Sequence, residues 1–394
     1  MTTRVEAAGP EGLAAALVEA GALQSDWLAT YRAVPRALFV PDRVWPGIPE
    51  GTEQGALVDR NADPREWLAA VYSNVPLTTQ WDKGEHQGDE QGTTPTSSNS
   101  LPSMVFAMLA DLDVEAGHRV LEIGTGTGWN AALLAHRVGA ENVVTVEYDA
   151  AVAEQARQAL AEFGKPSPLV VTGDGREGFA DRAPYDRVIA TASVGELPTA
   201  WIEQTATGGV IVAPWGPLYG GEAIVRLTVD DDGHARGRFT RSSAFMRIRQ
   251  QRPELPEPAV FFRGRPWPAG GQRSMTTLSP TAVGGWTEQF VIGLQVTEAF
   301  WRTERYDGGA YTLWTYSLDG ESWASADYEP GRSRFEVVQE GPRRLWDEVE
   351  AAYRWWNGRS RPGFARFGLT VGPGGTVAWL DDESCPVPGA KRAP

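Results

Sequence analysis

The sequence predicts an α/β protein: a helical N-terminal region, a parallel sheet and a smaller C-terminal α+β domain. Strand-like apolar runs alternate with helical patterns between residues 119 and 214, and a glycine motif follows the first run. The composition becomes proline-rich near residue 253. Because 394 residues suffice for two ordinary domains, we place the first at 1–252, a linker at 253–280 and the second at 281–394.

The region before the predicted sheet, residues 1–80, has a helical pattern. Its apolar residues recur at helical spacing and are followed by "VPRALFVP": Leu13, Leu17, Leu23, Trp27, Leu28 and Tyr31. Residues 82–99 hold almost no apolar side chain and indicate a loop. From Leu101 to Leu112 the apolar residues again mark one helix face, with Pro102 in the first turn.

Residues 100–252 hold the predicted sheet. Its strand-like runs are "RVLEI" at 119–123, "VVTVE" at 143–147, "LVVT" at 169–172, "YDRVIAT" at 185–191 and "GGVIVAP" at 208–214. Helical patterns at 130–137 and 149–163 separate the first three. This rhythm implies right-handed crossovers and a parallel, Rossmann-like sheet covered by helices on both faces. Segments 223–229 and 237–248 flank an acidic turn and predict an antiparallel hairpin.

The C-terminal domain combines strand-like segments with one helix. The strand-like segments are "FVIGLQVTE", "YTLWTYS", "FARFGLTV" and "TVAWL". A helix is predicted over 342–357, because Leu345, Val349, Tyr353 and Trp356 fall on one face. We therefore expect a sheet packed against a helix.

The net charge excludes several partners. A formal charge of −15 argues against nucleic acid and against a membrane surface, since both attract basic proteins. Cys385 is the single cysteine, so the sequence offers no intramolecular disulfide and no thiolate cluster, and we expect no metal. The N-terminal residues lack a signal-peptide pattern, which leads us to expect a cytoplasmic protein. We also expect a monomer.

The glycine motif "VLEIGTGTG" indicates a ligand site. Its G-x-G-x-G spacing departs from the dinucleotide fingerprint, so NAD or FAD is the weaker interpretation. Glu147 ends the second strand, where an acid can bind ribose hydroxyls, and Asp174 follows the third strand near the expected position of an adenine amine. Together these features suit S-adenosylmethionine. The candidate cofactor residues are Glu122, Gly124, Thr125, Gly126, Thr127, Gly128, Glu147, Tyr148, Gly173, Asp174 and Gly175.

Several motifs in sequence order resemble the protein-L-isoaspartate O-methyltransferases. They are "VPRALFVP", "S-x-S-x-P-x-M", "RVLEIGTGTGWNAALLA", "VTVEYDAAVAEQARQAL", "VTGDGREGFADRAPYDRVIATAS" and "LPTAWIEQTATGGVIVAPWG". The resemblance covers roughly residues 11–250. It implies a class I methyltransferase fold and transfer of a methyl group from S-adenosylmethionine to an aspartyl or isoaspartyl carboxylate.

The resemblance places Ser100 at the active-site serine position, with Ser98 two residues before it. An aspartyl carboxylate, with a reference pKa of about 3.9, is already ionised at neutral pH, so no general base is needed. Hydroxyl donors can orient such a nucleophile without neutralising it. Leu101, Pro102, Ser103 and Thr191 are the expected substrate contacts. The family motif usually has histidine at the position of Ser103, so we expect substrate choice to diverge there.

The extra C-terminal domain favours a peptide substrate, because it resembles extensions in family members that modify lanthipeptides, lasso peptides and graspetides. We predict methylation of an aspartate in a macrocyclic precursor peptide, followed by closure to aspartimide. Alternatives are an isoaspartyl repair enzyme, a small-molecule methyltransferase and a non-catalytic peptide-binding adaptor. An intact glycine motif together with Glu147 and Asp174 argues against the adaptor.

The C-terminal domain also concentrates tryptophan and arginine. Most of its tryptophans are expected in the core, with one or two in a peptide groove: Trp267, Trp286, Trp301, Trp314, Trp323, Trp346, Trp355, Trp356 and Trp379. Six arginines are consistent either with attraction of an acidic peptide or with an ordinary solvated surface: Arg343, Arg344, Arg354, Arg359, Arg361 and Arg366.

Overall fold

The computed structural model describes residues 9–48, 54–266 and 270–392. Residues 1–8, at the start of the predicted helical region, and Trp267 lie outside the described residues. The chain divides into two units. The first comprises Met1–Ala192, Pro198–Ala213 and Arg226–Gly233; the second comprises Ser193–Leu197, Pro214–Val225 and His234–Pro394.

The N-terminal part of the first unit contains helices and a small antiparallel sheet. The helices are α1 (Pro10–Glu19), α2 (Leu28–Ala33) and α3 (Pro64–Val71). The strands are β1 (Arg43–Pro46), β2 (Val58–Asp59), β3 (Leu77–Trp81) and β4 (Pro95–Asn99), in the order β2-β1-β3-β4. The prediction of a purely helical region was therefore incomplete.

The polar stretch 82–99 was predicted as a loop, yet it ends in β4. Leu77 pairs with Asn99, and Thr78 pairs with Ser98, across an antiparallel ladder. Serine, threonine and asparagine show no apolar alternation, so only the presence of β3 as a partner makes this segment a strand. The helix that follows, α4 (Pro102–Leu112), begins where predicted and buries Val105, Met108 and Leu109.

The parallel sheet of the first unit confirms the Rossmann-like prediction. Its strands are β5 (Val120–Ile123), β6 (Val143–Glu147), β7 (Leu169–Thr172), β8 (Tyr185–Ala190) and β9 (Thr205–Trp215). They lie in the order β9-β8-β5-β6-β7, and each neighbouring pair is parallel. The order reverses between β5 and β8, and ligands of such sheets bind at the carboxyl ends of the strands near this reversal.

Three helices accompany these strands: α5 (Trp129–Val138), α6 (Ala150–Phe163) and α7 (Thr199–Glu203). The Asp149 carboxylate caps α6 by accepting from the backbone N–H groups of Ala151 and Val152. Two further strands lie near the segments predicted as a hairpin: β10 (Ala223–Val229) coincides with the first, and β11 (Ala235–Ser242) begins two residues before the second and overlaps it.

The described residues of the second unit form two groups of antiparallel strands and three helices. The strands are β12 (Gln272–Thr276), β13 (Ala299–Arg305), β14 (Tyr311–Ser317), β15 (Trp323–Tyr328), β16 (Phe335–Glu340), β17 (Phe367–Gly372), β18 (Gly375–Leu380) and β19 (Pro386–Arg392). The helices are α8 (Pro258–Phe262), α9 (Trp286–Gln295) and α10 (Leu345–Asn357). One sheet has the order β12-β16-β15-β14-β13, and the core beside it includes Ile292, Leu313, Val337, Leu345 and Val349.

Two features of this unit differ from the prediction. The run "FVIGLQVTE" lies mostly in helix α9, where Phe290, Val291, Ile292 and Leu294 are buried. Its first five residues, FVIGL, are all apolar or glycine, and such a short run has no periodicity that separates strand from helix. The predicted linker 253–280 contains α8 and β12, and β12 pairs with β16.

The boundary near residue 252 also differs, because β11 belongs to the second unit and pairs with β17 in antiparallel register. Helix α10 is confirmed, with Leu345, Val349 and Trp356 buried on the predicted face. Among the described helices, none is long and apolar enough to cross a membrane.

Candidate active site

The glycine motif forms a tight turn between β5 and α5. Gly124 and Gly126 have φ angles of 94° and 52°, in the left-handed region that favours glycine. A Cβ on Gly124 would lie 2.9 Å from Thr191 Oγ1, and one on Gly126 would lie 3.3 Å from the Ser98 carbonyl oxygen. The loop backbone is thus closely approached by the chain after β8 and by β4, which leaves no room for side chains.

Glu147, at the end of β6, is bonded to the glycine loop. Its Oε2 accepts from the Gly126 N–H at 2.9 Å, and its Oε1 accepts from the Asp149 N–H at 3.0 Å. A carboxylate has about four lone-pair sites and can accept several hydrogen bonds at once. The structure therefore places the Glu147 carboxylate beside the glycine loop, at the carboxyl end of β6.

Glu122 lies beneath the loop rather than on its surface. The side chain is fully buried, and its two oxygens accept from Asn130 Nδ2 at 2.7 Å and Thr145 Oγ1 at 2.6 Å. Thr145 in turn contacts Thr125 Oγ1 at 2.7 Å. Burial raises the pKa of Glu122 to about 7. Glu122 and Thr125 thus support the loop from inside.

Asp174 and Tyr148 lie at the ends of the neighbouring strands. The Asp174 carboxylate accepts from Arg176 Nη2 at 2.7 Å, and this partner holds the pKa of Asp174 below its usual range. Tyr148 is about half exposed, at 51%. A Cβ on Gly175 would lie 2.6 Å from Ile123 Cγ2, so this turn packs against the end of β5. The motif 173–175 therefore lies beside the end of β5, where the glycine loop begins.

Residues 97–100, which we call the serine segment, are held by a buried arginine that the sequence analysis did not single out. Arg36, within "VPRALFVP", is 1% exposed, and its Nη2 donates to the Ser100 carbonyl oxygen at 3.0 Å and to the Asn99 carbonyl oxygen at 3.3 Å. Its Nε donates to Asn99 Oδ1 at 2.7 Å. The remaining bonds go to the carbonyl oxygens of Val71, Ser73 and Val75. Burial lowers the pKa of Arg36 to about 9, so the group stays charged at neutral pH.

Asn99 joins this segment to the glycine loop. While its Oδ1 accepts from Arg36, its Nδ2 donates to Thr127 Oγ1 at 2.8 Å. Thr127 thus interacts with the serine segment. A second connection runs through Gln80, which accepts from Thr96 Oγ1 at 2.7 Å and donates to Asp149 Oδ2 at 3.2 Å. The hydroxyl-bearing segment 97–100 is fixed against the cofactor loop by side-chain bonds.

The expected substrate contacts flank the start of α4. The backbone N–H of Ser103 donates to Asn74 Oδ1 at 3.0 Å. Leu101 and Ser103 are half-buried, whereas Pro102 is buried in the first turn. Thr191 donates to the Gly124 carbonyl oxygen at 2.5 Å, which fixes the loop after β8 to the glycine turn. Asn74 is a further residue of this region that the sequence alone did not indicate.

These residues fit an adenosine-containing cofactor. The glycine loop, Glu147 and Gly173–Gly175 lie at the carboxyl ends of β5, β6 and β7, which neighbour one another in the sheet. Glycines with positive φ leave the loop backbone accessible to a ligand. The fold and this site define a class I S-adenosylmethionine-dependent methyltransferase.

Comparisons with known proteins identify the family. The family model for protein-L-isoaspartate(D-aspartate) O-methyltransferase matches residues 57–252. The protein-L-isoaspartate O-methyltransferase of Methanothermobacter thermautotrophicus is 41% identical over 176 residues, which are 44% of this chain and 75% of that protein. The enzyme of the same name from Methanoculleus marisnigri is 37% identical over 190 residues, which are 48% of this chain and 69% of that protein.

The chain therefore belongs to the protein-L-isoaspartate O-methyltransferase family, and its methyl donor is S-adenosylmethionine. A solved structure of a protein-L-isoaspartate O-methyltransferase covers 95% of this chain and 100% of its own length, with a TM-score of 0.52 and 20% identity. That likeness shows a shared fold. Because it includes most of the second unit, the extra unit does not by itself separate this chain from other family structures.

The six C-terminal arginines do not form a free basic patch. Four are ion-paired: Arg343 with Glu348, Arg344 with Asp347, Arg354 with Glu350 and Arg366 with Asp381. Arg359 lies over the Trp355 ring at 4.3 Å, and Arg361 donates to Asn357 Oδ1 at 2.9 Å. This favours an ordinary solvated surface over attraction of an acidic peptide.

The C-terminal tryptophans divide between core and surface. Trp323, Trp346, Trp356 and Trp379 are buried, whereas Trp301, Trp314 and Trp355 are half-buried and Trp286 is 39% exposed. Half of the described tryptophans of this region are thus core residues, a smaller share than the sequence led us to expect.

Proposed function

We propose that this protein methylates the carboxylate of L-isoaspartyl residues in polypeptides, as the first step of their repair. The relatives reported above are named for that substrate, which supports this alternative over the macrocyclic-peptide substrate predicted first. The structural observation that carries the proposal is the position of segment 97–100: Asn99 bonds Thr127 of the glycine loop, and the buried Arg36 donates to the Ser100 carbonyl oxygen.

The chemistry requires orientation rather than proton transfer. S-adenosylmethionine supplies an electrophilic methyl group on a positively charged sulfur. The substrate carboxylate is ionised at neutral pH, so a carboxylate oxygen can form the new bond to carbon as the carbon–sulfur bond breaks, with no proton exchanged. Ser100 or Ser98 can donate to one carboxylate oxygen and leave the other free to attack.

The hydrogen bonds of Arg36 explain why a cation so close to the serine segment does not pair with the substrate carboxylate. A guanidinium facing the substrate would pair tightly with the carboxylate. Here its N–H groups donate to Asn99 and to backbone carbonyl oxygens, and the group is buried. Arg36 is therefore a positioning residue: it fixes the backbone of residues 99 and 100 and leaves the hydroxyls to contact substrate.

The decisive measurement compares methyl transfer to three peptides of one sequence, containing isoaspartate, aspartate or asparagine at one position. We expect transfer to the isoaspartyl peptide alone. For Ser100→Ala we expect kcat to fall about tenfold to a hundredfold, since one hydrogen bond to a charged group contributes roughly 1.5–3 kcal/mol. The affinity for S-adenosylmethionine should stay near that of the wild type.

Ser167→Ala is the matched control, because that hydroxyl donates to the Gly164 carbonyl oxygen outside the site. Wild-type turnover in Ser100→Ala would remove Ser100 from the mechanism. Equal transfer to the aspartyl and isoaspartyl peptides would overturn the repair assignment.

A second candidate is methylation of an aspartate in a macrocyclic peptide, with later closure to aspartimide. The observation that favours it is Ser103, which replaces the histidine of the usual motif and begins α4 beside Asn74. A cyclised aspartyl peptide and its linear form distinguish the two: efficient transfer to the cyclic form only, with none to the isoaspartyl peptide, would support this candidate.

A further inference from the structure

The second unit contains a concave site that its sheet builds from aromatic and acidic side chains. We call it the aromatic-acidic pocket and define it by Glu304, Tyr306, Tyr311, Trp314, Asp327 and Tyr328. The cavity measures about 460 Å³ and lies at the ends of β13, β14 and β15. Its walls thus come from three adjacent strands of one rigid sheet.

Two carboxylates face each other across β14 in this pocket. Thr312 is the register partner of Glu304 on β13 and of Asp327 on β15, so the three side chains share one face of the sheet. Thr312 Oγ1 donates to Asp327 Oδ1 at 2.7 Å, and Trp314 Nε1 donates to Glu304 Oε2 at 3.3 Å. Neutral donors thus orient both carboxylates without neutralising them.

The carboxylates of the pocket lack an ion-pair partner within the described part of the chain. Neither Glu304 nor Asp327 forms an ion pair there, whereas the nearby arginines are otherwise engaged: Arg273 pairs with Glu336 at 2.7 Å and Arg302 with Glu257 at 3.8 Å. Arg305 follows Glu304 directly, so strand alternation directs it to the opposite face. Burial raises the pKa of Asp327, and this effect outweighs the lowering by the Thr312 hydrogen bond and by the charge of Arg273.

The aromatic rings make an organic cation a better fit than a metal ion. Trp314 and Tyr306 lie on the same sheet face as Glu304: Trp314 is half-buried, and Tyr306 is 50% exposed at the pocket edge. The paired rings of Tyr311 and Tyr328, 5.0 Å apart, lie on the opposite face with Arg305. Tyrosine and tryptophan faces attract ammonium and guanidinium groups. Within the described residues, no group of three His, Cys, Asp or Glu side chains could hold a metal.

We propose that the aromatic-acidic pocket binds a lysine or arginine side chain of the polypeptide substrate. The inference rests on the proposed methylation of polypeptide carboxylates and adds a preference for substrates with a basic residue outside the reacting position. The ion pairs of Arg343, Arg354 and Arg366 in the same unit agree with this, since these arginines do not present unpaired cations to an acidic peptide.

The test uses the full chain, because β17, which a truncation at residue 252 would remove, pairs with β11. Two isoaspartyl peptides, one flanked by lysines and one by glutamines, are compared in wild type, Asp327→Asn and Asp307→Asn. Asp307, in the turn before β14, provides the same change of charge without lining the pocket. In wild type we expect the lysine peptide to have a KM about tenfold lower than the glutamine peptide, consistent with one charged contact over aromatic rings.

In Asp327→Asn this advantage should fall below about threefold with kcat unchanged, while Asp307→Asn should keep it. Calorimetry with a lysine peptide that has alanine in place of isoaspartate tests the pocket independently of methyl transfer. Binding by wild type and loss in Asp327→Asn would support the pocket even if no peptide were methylated, which would overturn only the proposed function. Equal KM values, or an equal loss in Asp307→Asn, would overturn the pocket assignment.

Discussion

The serine segment of the first unit and the aromatic-acidic pocket of the second differ in how their charged side chains are bonded. Arg36 donates to six oxygen acceptors of its own chain, and these hydrogen bonds fix the backbone of the active site. Glu304 and Asp327 are oriented by neutral donors alone. A charge fully satisfied by its own chain stabilises structure, whereas an oriented charge without a counter-ion is available to a ligand.

Arg36→Lys is expected to give the largest effect. Lysine keeps the charge but has three donors on one atom, and it cannot reproduce the planar fork that contacts Asn99 and Ser100. We expect a loss of about 3 kcal/mol in the free energy of unfolding and a fall in kcat of at least about a hundredfold.

Urea unfolding and steady-state kinetics measure these two effects. Arg32→Lys is the control, since Arg32 forms an exposed ion pair with Glu11. If Arg36→Lys retained full turnover and stability, Arg36 would not be needed to fix the backbone of the serine segment.

Glu147→Gln should give the next largest effect, on cofactor binding. The wild-type carboxylate accepts hydrogen bonds from the backbone N–H groups of both Gly126 and Asp149. The glutamine amide has one acceptor oxygen, so its NH₂ group would face one of these two donors. We expect S-adenosylmethionine to bind about tenfold to a hundredfold more weakly, with a smaller change in kcat. Calorimetry with the cofactor measures this; an unchanged affinity would exclude Glu147 from the cofactor site.

Glu122→Gln should change the pH dependence of stability. Because burial raises the pKa of Glu122 to about 7, above the unfolded value of about 4.3, the folded chain holds the extra proton between these pH values. The contribution of Glu122 is therefore present at low pH and lost as pH rises to about 7. Gln resembles the neutral acid and can keep the bonds to Asn130 and Thr145.

We expect wild type to lose on the order of 1 kcal/mol more than the variant between pH 5.5 and 7.5, as measured by urea unfolding at both values. Glu162→Gln, on the exposed side of α6, serves as the control. Parallel pH profiles for wild type and Glu122→Gln would contradict the raised pKa.

Asp327→Asn should change the free energy of unfolding least among these variants. The change should be an increase, whereas Arg36→Lys should cause a decrease. Its carboxylate pKa is raised by burial, so the ionised form is unfavourable in the folded chain, and asparagine can still accept from Thr312. We expect the free energy of unfolding to rise by less than about 1 kcal/mol. A clear loss of stability would mean that Asp327 serves the fold rather than a ligand.

Elements whose signals lie close together in the sequence could be predicted, whereas features that depend on contacts between distant residues could not. The strands β5–β9, helix α4, helix α10 and the glycine loop were predicted because their signals lie within short, continuous segments. β4 and α9 were not, since a polar strand depends on its partner and the short apolar run at 290–294 lacks periodicity. The placement of Glu122 beneath the loop, rather than on its surface, likewise depends on Thr145 of the neighbouring strand.

By itself, the sequence determined the parallel α/β core and the cofactor class, because a strand, a glycine turn and a helix follow one another along the chain. Only the tertiary structure decided what holds the serine segment and where charge remains without a partner. Arg36 and Asn99 are 63 residues apart, and the pocket joins three strands through cross-strand register. Contacts of this span leave no local pattern, because each residue's environment is set by chain segments that meet only in the folded protein.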